Sequence, residues 1–140
     1  MPAQRRVLIV DQSEESREVL QTALSRRGLR AYATGAADQG LALAERYHPD
    51  LVVLDLDIDE TAADTLSGPL GGKGRNEPVP IVLLGGVRRD FARFPTGEFI
   101  AKPYHYGPLI RRIEELLEGR HRAVAVCHSR ERSGSPVRTG

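Results

Sequence analysis

Three short apolar runs, each stopped by a charged residue, limit what this chain can fold into. Val7-Leu8-Ile9-Val10 ends at Asp11, Leu51-Val52-Val53-Leu54 at Asp55, and Phe99-Ile100-Ala101 at Lys102-Pro103. An apolar run of this length, without alternation, suits a strand buried on both faces, as in a parallel sheet covered by helices. In such sheets ligands bind outside the carboxyl ends of the strands. Two carboxylates and one ammonium at three strand ends therefore point to one shared polar site.

The intervening segments fit this reading. Strands are expected over residues 6–10, 29–34, 50–54, 80–84 and 98–101. After the first, Ser13 suits a helix N-cap, with Glu14, Glu15 and Glu18 near the positive helix end. Val19, Leu20, Ala23 and Leu24 share one helical face, and Gly28 follows Arg26 and Arg27 as a helix stop. A second helix is read over residues 36–47, with Leu41, Leu43 and Ala44 facing the core and Pro49 ending it. Leu109, Ile110, Ile113, Leu116 and Leu117 form the stripe of a last helix, which is expected to stop at Gly119, with Pro108 in its first turn.

Two segments read poorly as helices. Residues 59–78 contain Ser67-Gly68-Pro69-Leu70-Gly71-Gly72-Lys73-Gly74, a flexible polar stretch, so a helix there is expected only over residues 61–66. Residues 85–97 allow at most a turn or two. Alternating strands and helices predict an α/β fold, a flavodoxin-like three-layer sandwich with a five-stranded parallel sheet in the order 2-1-3-4-5.

A chain of 140 residues suits one domain. No apolar stretch approaches the roughly 18 residues needed to span a membrane, and the default compartment is cytoplasmic. The single cysteine, Cys127, excludes an internal disulfide framework and a cysteine-built zinc site. His48, His105, His121 and His128 show no metal-binding spacing. The net charge of +1 hides an asymmetry: residues 119–140 carry five arginines and one glutamate, leaving the preceding body at −3. The basic tail is rich in Arg, Ser and Gly, so disorder is expected there. It has neither aromatic residues to stack on bases nor an apolar face for a membrane.

The order of these signals is specific. Val-Leu-Ile-Val-Asp11, then a helix, then Pro49-Asp50-Leu-Val-Val-Leu-Asp55-Leu, then Pro80-Ile-Val-Leu-Leu, then Phe99-Ile-Ala-Lys102-Pro103-Tyr104, resembles the receiver domain of two-component response regulators. The resemblance covers residues 5–118. It implies that Asp55 is the phospho-acceptor for a histidine kinase, a carboxylate nucleophile that forms an acyl phosphate. It implies Mg²⁺ held by Asp11, by Asp55 and by the main-chain carbonyl of Asp57. It also implies that Lys102 pairs first with the acceptor and then with the phosphoryl group, and that the Lys102–Pro103 bond is cis.

Two positions depart from the family pattern. Gln12 stands where the family has a second metal-binding acid, so fewer ligand charges predict weaker Mg²⁺ binding; the Asp57 carboxylate is available to compensate. Gly85 stands where the family has the switch Thr or Ser, whose hydroxyl bonds the phosphoryl group and draws in the aromatic of strand five, here Phe99. Without it that coupling cannot run in its usual form, although the Gly86 amide can still donate one hydrogen bond. Asp59 sits where proline is frequent.

The expected function is therefore a single-domain, non-enzymatic receiver-like signalling module. It would take a phosphoryl group at Asp55 and act by contact with a histidine kinase or a downstream protein. The alternative is a phosphate-independent pseudo-receiver, a preformed interaction module in which Lys102 is simply the counter-ion of Asp55. An enzyme on this fold is disfavoured because an acidic segment, not a glycine-rich phosphate loop, follows strand one. Nucleic-acid binding through the tail is a further reading, set behind a simply solvated tail.

Overall fold

The computed structural model describes residues 4–58, 62–70, 79–86 and 97–123. Five strands, β1 (Arg6–Val10), β2 (Arg30–Thr34), β3 (Leu51–Asp55), β4 (Ile81–Gly85) and β5 (Gly97–Ala101), alternate with α1 (Glu14–Arg26), α2 (Ala37–Tyr47) and α3 (Ala62–Leu70) and are followed by α4 (Tyr106–Ala123). The strands form one parallel sheet in the order β2-β1-β3-β4-β5, as the sequence pattern predicts.

Side chains of a strand alternate between faces, so each central strand feeds two cores. Leu8, Val10, Val52, Leu54, Ile81 and Leu83 pack on one face with Ala44 of α2 and Leu66 and Leu70 of α3. Val7, Ile9, Leu51, Val53, Val82 and Leu84 pack on the other with Leu20 and Leu24 of α1 and Leu109, Ile110, Ile113 and Leu117 of α4. This double burial is why the three inner strands read as unbroken apolar runs.

The helix ends follow from local chemistry. The Ser13 hydroxyl accepts from the Ser16 amide and caps α1, and Gly28 beyond its end adopts φ of +83°. Helix α2 closes on His48, a left-handed residue (φ 50°) whose amide returns to the Ala44 carbonyl just before Pro49. Gly40 lets α2 lie close on β1, because a Cβ there would fall 2.9 Å from Val10 Cγ2.

Two helix lengths correct the sequence expectation. Helix α3 runs on through Ser67, Gly68 and Pro69 to Leu70. Leu66 and Leu70 lie one turn apart and are both fully buried, so core packing carries the helix past residues of poor propensity. Helix α4 continues beyond Gly119 to Ala123. The rest of the basic tail, with Cys127, His128 and the expected disorder, lies outside the described residues, as do Asp59 and residues 87–96.

Candidate functional site

Sheet register brings the two acids together. Val10 lies opposite Leu54 in the β1–β3 ladder, so one further step sets Asp11 beside Asp55 on the α1/α4 face. Adjacent strands are about 4.8 Å apart, close enough for the two carboxylates to share one ligand or cation. Asp11 is 2 % exposed and Asp55 is completely buried. Asp11 is oriented by its own loop: its Oδ1 accepts from the Ser13 amide at 2.8 Å. Its carbonyl accepts from Arg17 Nη1 at 2.7 Å. Arg17 lies on the first turns of α1, and the missing side chain of Gly35 makes room for its guanidinium.

Lys102 enters from β5. Its amide bonds the Gly85 carbonyl at 2.9 Å, and its bond to Pro103 is cis, as the resemblance implies. Lys102 Nζ reaches Asp55 Oδ1 at 2.8 Å and Asp57 Oδ2 at 3.3 Å. Asp55 Oδ1 also accepts from the Asp57 amide at 2.9 Å. Asp55 Oδ2 is buried and has no hydrogen-bond partner among the described residues. One oxygen of this carboxylate is thus anchored twice and the other is left over.

The loop after β3 closes the site. Asp57 Oδ2 accepts from the Gly86 amide at 3.3 Å as well as from Lys102. The Gln12 side-chain amide donates to the Asp57 carbonyl in a long contact of 3.4 Å. Gly85 is packed rather than open: a Cβ there would lie 3.5 Å from Leu56 Cβ and 3.6 Å from Phe99 Cε1. Phe99 is half-buried against the α2/α3 core beside Leu83, its neighbour in the β4–β5 ladder. A cleft of about 460 Å³ opens over the acids, lined by Asp11, Asp55 and Lys102 with Pro103, Tyr104 and Tyr106 as its apolar wall. The Ser16 and Tyr106 hydroxyls meet at 3.1 Å on its rim.

The electrostatics follow from burial and this pairing. Burial raises the Asp11 carboxyl above its ordinary 3.8; the Ser13 amide opposes this, and the Asp55 charge adds to it. Burial works against the Lys102 ammonium, but the bond and charge of Asp55, helped by Asp57, hold it above 10.5.

The predicted residues Asp11, Asp55, Asp57 and Lys102 all meet here, with Gly85 and Phe99 on the adjoining face. For a divalent cation the fitting donors are the Asp11 carboxylate, the orphaned Asp55 Oδ2 and the Asp57 main-chain carbonyl, which Gln12 now shares. No cluster of three His, Cys, Asp or Glu side chains suited to a metal occurs among the described residues. The Asp57 carboxylate, expected to compensate for Gln12, is engaged by Lys102 and Gly86 instead. Sequence reasoning missed Arg17 and the Ser16–Tyr106 contact. Arg17 had a usable signal, since a residue in the first turns of α1 can reach back over the loop that precedes it.

A doubly wound parallel sheet with paired acids and a lysine at its carboxyl edge defines a class of α/β domains with a polar site at that edge. The chain belongs to the response regulator receiver domain family, whose sequence model matches residues 7–114. It is a receiver domain of two-component signalling. It is similar to the transcriptional regulatory protein PcoR of Escherichia coli (26 % identity, 88 % of this chain, 56 % of that protein). It is also similar to the cell cycle transcriptional regulator CtrA of Caulobacter vibrioides (25 % identity, 80 % of this chain, 50 % of that protein). The chain spans about half the length of these curated relatives. Among solved structures it resembles a response regulator receiver modulated diguanylate cyclase from Pelobacter carbinolicus (TM-score 0.58, 25 % identity, 83 % of this chain and 98 % of that one). It shares the fold of the chemotaxis protein CheY4 from Vibrio cholerae (TM-score 0.69, 19 % identity, 81 % of this chain and 98 % of that one).

Proposed function

We propose that this receiver accepts a phosphoryl group on Asp55 from a histidine kinase and signals by protein–protein contact. The observation that carries the reading is the division of labour within one buried carboxylate. Oδ1 is held by Lys102 and the Asp57 amide, while Oδ2 has no hydrogen-bond partner among the described residues and the side chain lines a cleft. A nucleophile held by one oxygen and free at the other has little orientation left to lose on the way to attack. As Oδ2 bonds to phosphorus, the bond from phosphorus to the donor nitrogen breaks. Lys102, already paired with Asp55, then balances the new charge. Mg²⁺, held by Asp11, Asp55 and the Asp57 carbonyl, would supply neutralisation of phosphoryl charge. The module is not itself an enzyme in this reading, and its compartment is the cytoplasm. Among the described residues no helix is long and apolar enough to cross a membrane.

A second reading is favoured by one contact. The Gln12 amide donates to the carbonyl that Mg²⁺ would use. Together with the missing hydroxyl at Gly85, this supports a phosphate-independent pseudo-receiver that presents a preformed face near β4, β5 and α4.

The deciding experiment is incubation with acetyl phosphate and Mg²⁺, followed by intact-protein mass spectrometry. Phospho-acceptance predicts a phosphoryl mass increment that Asp55→Asn abolishes. Equal labelling of both proteins would move the acceptor elsewhere. No labelling of the wild type, by acetyl phosphate or by a panel of kinases, would favour the pseudo-receiver.

A further inference from the structure

The described donors that face Asp55 are few. The Asp57 amide is bound to Asp55 Oδ1. Two more, Lys102 Nζ, which also holds Asp55 Oδ1 at 2.8 Å, and the Gly86 amide, converge on a single atom, Asp57 Oδ2, each at 3.3 Å. They come from the ends of two different strands, and a carboxylate from the loop after a third strand ties them together. Gly85 contributes no hydroxyl. A tetrahedral anion on Asp55 Oδ2 would draw on these same two donors, since Lys102 already lies against Asp55 and the Gly86 amide follows directly on the position that lacks a hydroxyl. The Asp57 side chain is 35 % exposed, so it can swing into water and release them.

We infer that the Asp57 carboxylate is a built-in competitor of the phosphoryl group. It occupies the Lys102 and Gly86 contacts in the resting chain and must be displaced before an anion on Asp55 is stabilised. This inference rests on phospho-acceptance at Asp55 and adds its regulation. Asp57 acts here as a positioning residue: it holds three strand ends in the arrangement that a bound anion would otherwise impose, and it lowers the site's affinity for that anion. The contacts are charge-assisted on both sides for Lys102 and on one side for Gly86, which makes the competition substantial.

The test uses beryllofluoride, formed from beryllium chloride and sodium fluoride, as the phosphoryl mimic. It is titrated into the wild type, Asp57→Ala and Asp57→Asn at Mg²⁺ concentrations saturating for each, with binding followed by amide NMR. Saturation is set beforehand from each variant's own Mg²⁺ titration, so a change in metal affinity is not mistaken for a change in anion affinity. Losing a competitor held by charge-assisted bonds is expected to raise beryllofluoride affinity by about tenfold or more in Asp57→Ala. The Gly86 amide resonance should also move in Asp57→Ala before any ligand is added. In the wild type, beryllofluoride should shift it less than in Asp57→Ala, since there a fluorine acceptor only replaces the Asp57 carboxylate oxygen.

A gain that disappears in 1 M salt, where the Debye length is about 3 Å, would reduce Asp57 to a through-space charge and overturn the inference. So would unchanged or weaker affinity in Asp57→Ala while the wild type still binds, and phospho-acceptance would then stand alone. No binding by any of the three proteins would overturn both.

Discussion

Lys102 serves two carboxylates with one ammonium, and the two are not equivalent. Asp55 is fully buried, whereas Asp57 and Lys102 are each about one-third exposed. Removing the ammonium leaves the Asp55 charge, among the described residues, with the Asp57 amide alone. Breaking such a buried pair costs about 3 kcal/mol, so Lys102→Met should lower stability by that order in urea denaturation. In Lys102→Met/Asp55→Leu most of the loss should return; a double variant as unstable as the sum of its parts would mean the two residues do not interact. The pH dependence has a definite sign. The folded-state Lys102 ammonium lies above its ordinary 10.5, so its contribution is fully present below that value. It is lost as pH rises through the raised value. The stability gap between the wild type and Lys102→Met should therefore persist to about pH 10.5 and close above it. Sequence alone showed Asp55 and Lys102 as the ends of buried strands. It could not show that Asp57 would take the same ammonium, because that depends on how the loop after β3 turns back toward Gly86.

Helix α3 shows how an element can be decided by packing against its own propensities. Gly68 and Pro69 argue for a stop after Leu66, yet the helix holds its form until Leu70 is delivered to the core beside Val79 and Ile81. Leu70→Ala should therefore behave as a core truncation, costing about 2–5 kcal/mol in chemical denaturation. If the helix ended at residue 66, the same change would fall within the roughly 0.5 kcal/mol typical of surface sites. Helix α1 is the opposite case, with local chemistry and packing in agreement. Ser13 caps it through the Ser16 amide. Ser13→Ala should cost about 1 kcal/mol while leaving the Asp11 bond to the residue-13 amide intact, since that donor is main chain. Thermal unfolding of the variant measures this. A loss several times larger would mean that the hydroxyl also supports the acidic site.

At the scale of the whole molecule, the acid pair makes stability depend on its ionic surroundings. Burial and the neighbouring Asp55 charge hold the Asp11 carboxyl above 3.8. The folded state therefore keeps its proton longer than the unfolded chain does, and stability falls as pH rises from 3.8 through the raised value. In EDTA at pH 7, Asp11→Asn should accordingly melt at a higher temperature than the wild type, with the difference shrinking toward pH 4. Added Mg²⁺ should reverse the order. A ligand that binds only the folded state stabilises by about 2.7 kcal/mol at 100 times its dissociation constant, and Asp11→Asn should lose that response. Gln12→Asp should reach the same stabilisation at lower Mg²⁺, because it restores a ligand charge and removes the amide from the Asp57 carbonyl. Differential scanning fluorimetry across a Mg²⁺ series separates the three proteins. A wild type indifferent to Mg²⁺ would remove the metal from the site.

The parallel α/β architecture, the strand order and the charged residues at the ends of β1, β3 and β5 were legible in the sequence alone. A strand buried on both faces must be continuously apolar, and the first polar residue after it must lie at the sheet's carboxyl edge. The length of α3, the reach of α4 to Ala123, the clamp of Arg17 on Asp11 and the Asp57 bridge between Lys102 and Gly86 were decided by the tertiary structure. Each depends on distances between elements remote in the chain. Such distances are set when both cores close around the sheet, and no local propensity or spacing encodes them.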